Sequence, residues 1–205
     1  MEKGEPVNTT RDRILEAGAS LFRQRGFHGA GIKQIADAAR APMGSLYHFF
    51  AGGKDQLGEE VIRASGPFYI DLLDHVWDDT VDPAEGTRRF FYGAAQTLRD
   101  TDYADACPIA VIALEVASTH EGLRQATADV FATWIAAIET RFTAAGRSQE
   151  AAKRCATFVL AALEGAFILS RSMRDATIVE TTGDMAAAAV REAALAPDDL
   201  RLGPG

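Results

Sequence analysis

A chain of 205 residues, 47% hydrophobic and 24% charged, is long enough for one good core or for a small domain joined to a larger one, and its composition excludes global disorder. Its net charge of −8 argues against a nucleic-acid partner for the chain as a whole, yet residues 9–57 hold seven basic side chains against four acidic ones. That local balance of +3 allows the N-terminal segment to face phosphates. The longest uncharged runs, such as Ala106 to Leu114, fall far short of the roughly 18 residues of a membrane span. Met1 to Thr10 has no apolar core and reads as a frayed tail, not a secretory signal. Cys107 and Cys155 lack metal-ligand or CxxC spacing. A cytoplasmic protein with reduced thiols, no membrane partner, no metal and no cofactor is the expectation.

In chain order, Thr9 with Asp12 three residues on makes a capping-box start. Ile14, Leu15, Gly18, Leu21 and Phe22 then form one apolar stripe on a helix that Gly26 is placed to stop, and Phe27 follows as a core plug. From Gly31 to Phe50 the pattern is two short helices around a tight turn. Ile32, Ile35, Ala36 and Ala39 recur at helical spacing, and Pro42 suits the first position of the second helix, where its missing N–H costs nothing. Leu46 and the Phe49/Phe50 end face inward. Met43, Gly44, Ser45, Tyr47 and His48 remain for the other side, where small and hydrogen-bonding groups can enter a DNA groove.

A long helix is predicted from about Lys54 to Trp77, with Gly66-Pro67 inside it as a kink or break. Asp82-Pro83 with Glu85 restarts helix, carrying Phe90, Phe91, Ala94 and Leu98 on one side. Pro108 opens a short helix, Ile109 to Ala117, and Ser118 with Glu121 forms a capping box before a long one bearing Val130, Phe131, Trp134, Ile135, Ile138 and Phe142, which Gly146 ends. Ser148 to Met173 repeats the pattern through Ala156, Val159, Leu160, Leu163 and Phe167. The last helix runs from about Thr182 to Ala196 and stops at Pro197; its Ala186 to Ala189 run lets a partner helix approach closely. No segment pairs period-2 alternation with turn residues, so the fold class is all-α, with about nine helices.

Arg13-Ile14-Leu15-Glu16-Ala17, Leu21-Phe22, Arg25-Gly26-Phe27, Ile35-Ala36, Gly44-Ser45-Leu46-Tyr47-His48-Phe49-Phe50 and Lys54-Asp55-Gln56-Leu57 together resemble the TetR/AcrR family of transcriptional regulators over roughly residues 9–60. Ala41-Pro42, Gly52-Gly53-Lys54 and Ala106-Cys107-Pro108-Ile109-Ala110 resemble its LmrA/YxaF-type branch. The resemblance implies a homodimer. It implies a three-helix helix-turn-helix DNA-binding head at 9–53 and an effector-binding and dimerisation bundle at 54–200, with a palindromic double-stranded operator and a small-molecule effector as partners.

Carried over position by position, Ser45, Tyr47 and His48 touch DNA, Lys54 holds a phosphate, and Gly44 lets the backbone come close. Gly31, Lys33, Arg40 and Met43 complete the expected DNA-facing set. Three of these depart from the family pattern. Met43 replaces a polar group, Arg40 stands in the turn where relatives carry glycine, and Gly31 replaces a threonine cap. A non-glycine residue at positive φ in that turn costs on the order of 1 kcal/mol.

In the bundle, Phe68, Tyr69, Phe90, Phe91, Trp134 and Phe167 are either the lining of an apolar effector cavity or ordinary core. Glu115 and Glu164, inside apolar stretches, either orient a cationic or hydroxylated ligand or face solvent or a partner subunit. Cys107 is either a redox sensor or a small buried hydrophobe. His75 and His120 have no metal-ligand companions, and no catalytic constellation stands out. The expected function is a ligand-responsive regulator, a repressor released from its operator by a small apolar or aromatic effector. A helical small-molecule-binding protein or enzyme without DNA binding is the alternative.

Overall fold

The computed structural model describes residues 9–78, 81–104 and 107–195. Among the described residues there are nine helices and no strand: α1 (Thr10–Gly29), α2 (Ile32–Ala38), α3 (Met43–Phe49), α4 (Gly53–Val76), α5 (Pro83–Asp100), α6 (Pro108–Val116), α7 (Glu121–Ala144), α8 (Gln149–Met173) and α9 (Thr177–Leu195). The expected N-terminal tail before Thr9, the stop at Pro197 and the end of the expected second domain lie outside the described residues. Packing divides the chain into two compact units that do not follow chain order. One holds the residues up to Ser65 together with Pro108–Val130; the other holds Gly66–Cys107 and the residues from Phe131 onward. The sequence instead places the limit of the reading head at residue 53.

In the N-terminal unit, Thr9 and Asp12 form the expected box: Asp12 N donates to Thr9 Oγ1 at 3.2 Å and Thr9 N to Asp12 Oδ2 at 3.0 Å. At Gly26 the backbone leaves the helical region with φ 73°. One further turn follows to Gly29, so the glycine breaks α1 rather than ending it. Ile14, Phe22, Phe27, Ile35, Leu46, Phe50, Leu57 and Ile62 are buried with Ile112, Val116 and Leu123. Burying each such side chain contributes about 1.5–3 kcal/mol. At Gly58 the packing leaves no room for a side chain: a Cβ there would stand 2.8 Å from the Phe27 ring and 2.9 Å from Leu123. The core that seats α1–α3 is therefore completed by α6 and the start of α7.

In the other unit, Asp82 caps α5 by accepting from Ala84 N at 3.0 Å and Glu85 N at 3.1 Å, with Pro83 at the first turn. α9 packs along α5, and Gly183 makes this possible because a Cβ there would stand 2.5 Å from the Phe91 Cβ. Trp77 and Phe142 meet edge to face at 5.3 Å.

Four local expectations change. α9 starts at Thr177, earlier than Thr182, because Arg174 turns the chain in the left-handed region (φ 52°) and the Asp175 carboxylate accepts from Thr177 N at 2.9 Å. α7 starts at Glu121 itself, leaving Ser118 outside its cap. α4 is unbroken at Pro67, so of the expected kink or break the break does not occur. Its two halves are held by core residues on either side, Val61 and Ile62 before the proline and Leu73 after it. Finally, α8 is, among the described residues, the one helix long and apolar enough by composition to cross a membrane, where the sequence suggested none. Glu164 and Arg171 interrupt it, and its apolar residues divide between two faces: Val159, Leu160, Leu163 and Ala166 are buried, whereas Phe158, Ile168, Leu169 and Met173 are exposed.

Candidate nucleic-acid interface and effector site

α2 ends in a turn closed by two backbone bonds, Arg40 N to Asp37 O at 3.1 Å and Ala41 N to Ala36 O at 3.0 Å. This pairing puts the residue after the cap into the left-handed region, where glycine is usual. Here it is Arg40, with φ 50° and its side chain exposed. Pro42 then caps α3 rather than occupying its first turn, and its carbonyl accepts from Ser45 N at 3.0 Å and Leu46 N at 3.3 Å.

Leu46 and Phe50 are fully buried and anchor α3. Gly44, Tyr47 and His48 are exposed, and Met43 and Ser45 are half-buried beside them. A Cβ on Gly44 would meet nothing within 4 Å, so the backbone there is open. Arg13 Nε donates to Ala39 O at 3.2 Å and ties α1 to the end of α2. Arg11 pairs with Glu60 and lies 5.6 Å over the Phe50 ring, bracing α1 on α4.

Gly31 caps α2 without a side chain; its N–H donates to Gln34 Oε1 at 3.1 Å instead. Lys33 pairs with Asp37 at 3.1 Å, an exposed i,i+4 contact of at most a few tenths of a kcal/mol, roughly, that a phosphate can displace. Lys54 is half-buried at the start of α4. Its Nζ donates to His28 O at 3.5 Å and stands 4.6 Å from the centroid of the Phe27 ring. Burial holds its pKa below the ordinary lysine range, with the charges of Asp55 and Glu115 opposing.

The expected effector residues do not come together as a set. Phe91 is fully buried against Gly183 and is core. Phe68 is 64% exposed, which removes it from any cavity wall. Trp134 is buried, and its Nε1 donates to Gly66 O at 3.0 Å, so its polar edge is already used. Phe167 is half-buried. Glu115 belongs to the other unit, where its Oε2 accepts from His28 N at 2.8 Å.

Cys107 and Glu164 do meet. The buried thiol donates to the carboxyl, whose Oε2 is buried without a hydrogen-bond partner. Burial raises the Glu164 pKa to about 7, against the opposing Cys107 bond. No group of three or more His, Cys, Asp and Glu side chains arranged for a metal ion occurs among the described residues.

The pattern described as "Bacterial regulatory proteins, tetR family" matches residues 14–61, and the one described as "Transcriptional regulator LmrA/YxaF-like, C-terminal domain" matches residues 83–185. The chain belongs to the TetR family of transcriptional regulators. Within that family it is similar to the HTH-type regulator YxaF of Bacillus subtilis, 32% identical over 82% of this chain and 88% of the relative. It is also similar to LmrA of the same organism, 31% identical over 82% and 89%. The fold is shared with a TetR transcriptional regulator from Legionella pneumophila, with a TM-score of 0.79 over 90% of this chain and 99% of the other at 19% identity.

The family assignment makes the chain a DNA-binding transcriptional regulator and removes the enzyme reading. For a TetR-family chain, two features were missed in the sequence. One is the Glu115–His28 bond, which has no periodic signal because its partners are 87 residues apart. The other is the exposed apolar row on α8; a helix pattern that is apolar nearly all round does not say which face stays uncovered.

Proposed function

We propose that the chain is a ligand-responsive repressor that binds a palindromic operator as a homodimer, with Ser45, Tyr47, His48 and Lys54 on DNA. The observation that carries this reading is α3: a helix pinned by buried Leu46 and Phe50 that turns Gly44, Tyr47 and His48 outward. Hydroxyl, imidazole and ammonium groups hydrogen-bond phosphates and base edges, and the open backbone at Gly44 permits close approach. Gly31, Lys33, Arg40 and Met43 flank them, Arg40 adding a charge and Met43 an apolar contact for a thymine methyl.

Dimerisation is assigned to α8 and α9, whose exposed Phe158, Ile168, Leu169, Met173 and Met185 are apolar and otherwise uncovered. Two heads on one dimer must match half-sites about one DNA turn, roughly 34–36 Å, apart. A small apolar or aromatic effector that prefers a different head spacing shifts the population off the operator. Glu164 and Cys107 are the polar groups such an effector would meet, and α4, continuous through Pro67, would transmit its binding. The site of action is the cytoplasm, with DNA.

Tyr47→Phe and Lys54→Ala should each weaken binding to DNA flanking the protein's own gene by about tenfold, roughly 1.4 kcal/mol, with melting unchanged in Tyr47→Phe and the fold retained in Lys54→Ala. A low-salt gel shift with unchanged affinity for both variants overturns the reading. Repeating it with candidate ligands separates a repressor, which lets go, from an activator, which tightens.

A further inference from the structure

Glu115, at the C-terminal end of α6, touches the one place where α1 leaves its helical path. Its Oε2 accepts from His28 N at 2.8 Å, and its Oε1 fills the space that a Cβ on Gly26 would take. The φ of 73° at Gly26 and the bare Cα let the carboxylate lie directly on the turn. The same turn carries Lys54, through the carbonyl of His28 at 3.5 Å and the face of Phe27 at 4.6 Å, within reach of the Glu115 charge. The α6–α7 corner closes over it. The His120 ring stands 5.6 Å from Phe27 and 5.7 Å from His28, with Nδ1 2.8 Å from Thr119 Oγ1. One short turn, Gly26 to His28, is therefore held by an α6 carboxylate and in turn holds the lysine that opens α4.

We propose that Glu115 is a positioning residue for operator binding: by fixing the Gly26–His28 turn from α6 it sets where Lys54 presents its ammonium to the phosphate backbone. The proposal rests on the reading of Lys54 as a phosphate contact. A residue far from the DNA-facing helix in sequence then governs affinity without touching DNA, and any shift of α6 is felt at Lys54. Charge alone does not explain the contact, because the hydrogen bond is to a backbone N–H and is open to a neutral acceptor of the same shape.

The test uses the full-length protein and a duplex from the DNA flanking its own gene, titrated by fluorescence anisotropy over a salt series beside thermal melts. Glu115→Ala should lose about tenfold in affinity, and the slope of log K against log salt should shrink by about 1 per head, the signature of one lost phosphate contact. Glu115→Gln, whose amide oxygen accepts the same bond, should stay within about twofold of the native affinity and keep the slope. Should the alanine variant fail to fold, Glu115→Asp tests the same point, since it keeps the charge, draws the carboxyl back and should lose affinity and slope.

Lys54→Ala placed on Glu115→Ala should add no further loss, because both changes remove one contact. Native slope in both Glu115→Ala and Glu115→Asp, or additive losses in the double variant, overturns the positioning role while Lys54→Ala alone still lowers the slope. A native slope in Lys54→Ala alone overturns the phosphate reading itself, and the positioning role with it.

Discussion

Two helices of this chain expose faces that their own units leave uncovered, and the faces are opposite in chemistry. α3 has seven residues, is held by two buried side chains, and shows a glycine, a phenol and an imidazole. α8 has 25 residues, buries Val159, Leu160, Leu163 and Ala166 along one side, and shows Phe158, Ile168, Leu169 and Met173 along the other. A short helix with a polar outer face suits a wet, charged partner that fits in a groove. A row of large apolar groups on a long helix suits a protein surface that excludes water. Exposure alone says little; its chemistry and its continuity along one helix assign the partner.

The sharpest way to break the comparison is to charge the α8 face. Ile168→Asp with Leu169→Asp should give the mass of a single 22.0 kDa chain by light scattering and weaken operator binding by about 100-fold or more, because the second head loses its effective concentration. A dimer of native affinity in this variant would show that the face is not an interface.

A smaller effect tests how dry the inner side of α8 is. Glu164 holds its proton up to about pH 7 in the folded protein, whereas the unfolded chain releases it near 4.5, the ordinary glutamate value. The folded state therefore binds more protons between these values, and stability is full below about 4.5 and falls as pH rises to about 7, by about 3 kcal/mol in all. Glu164→Gln should flatten that decline in melts taken between about pH 5 and 8; an unchanged decline places its origin elsewhere.

The smallest effect concerns the α3 side. Arg40→Gly relieves a left-handed non-glycine residue and should raise stability by about 1 kcal/mol while reducing the salt slope of DNA binding by up to about 1 per head. Denaturant melts and salt titrations measure the two separately, and a loss of stability would contradict the strain at this turn.

Much of the head was legible along the chain. The Thr9/Asp12 box, the inward Leu46 and Phe50 and the outward Tyr47 and His48 follow from spacing within a few residues, and the turn at Arg40 from the family resemblance. The effector residues were less legible. An aromatic in an apolar stripe has the same pattern whether it packs, like Phe91 against Gly183, or stands in water, like Phe68. Burial depends on what the other helices place opposite, and periodicity does not record that.

By itself, then, the sequence determined the helices, the caps that open α1 and α5, the helix-turn-helix and the family, because these rest on local backbone chemistry and spaced side chains that a linear reading contains. Only the tertiary structure decided that α6 and the start of α7 pack with the head, that Glu115 serves the turn after Gly26, that Trp134 spends its N–H on Gly66, and that α8 has one covered and one open face. Each of these is a meeting of groups distant in the chain. Such meetings are selected by how whole helices pack, through shape and desolvation, and no spacing within one helix encodes them.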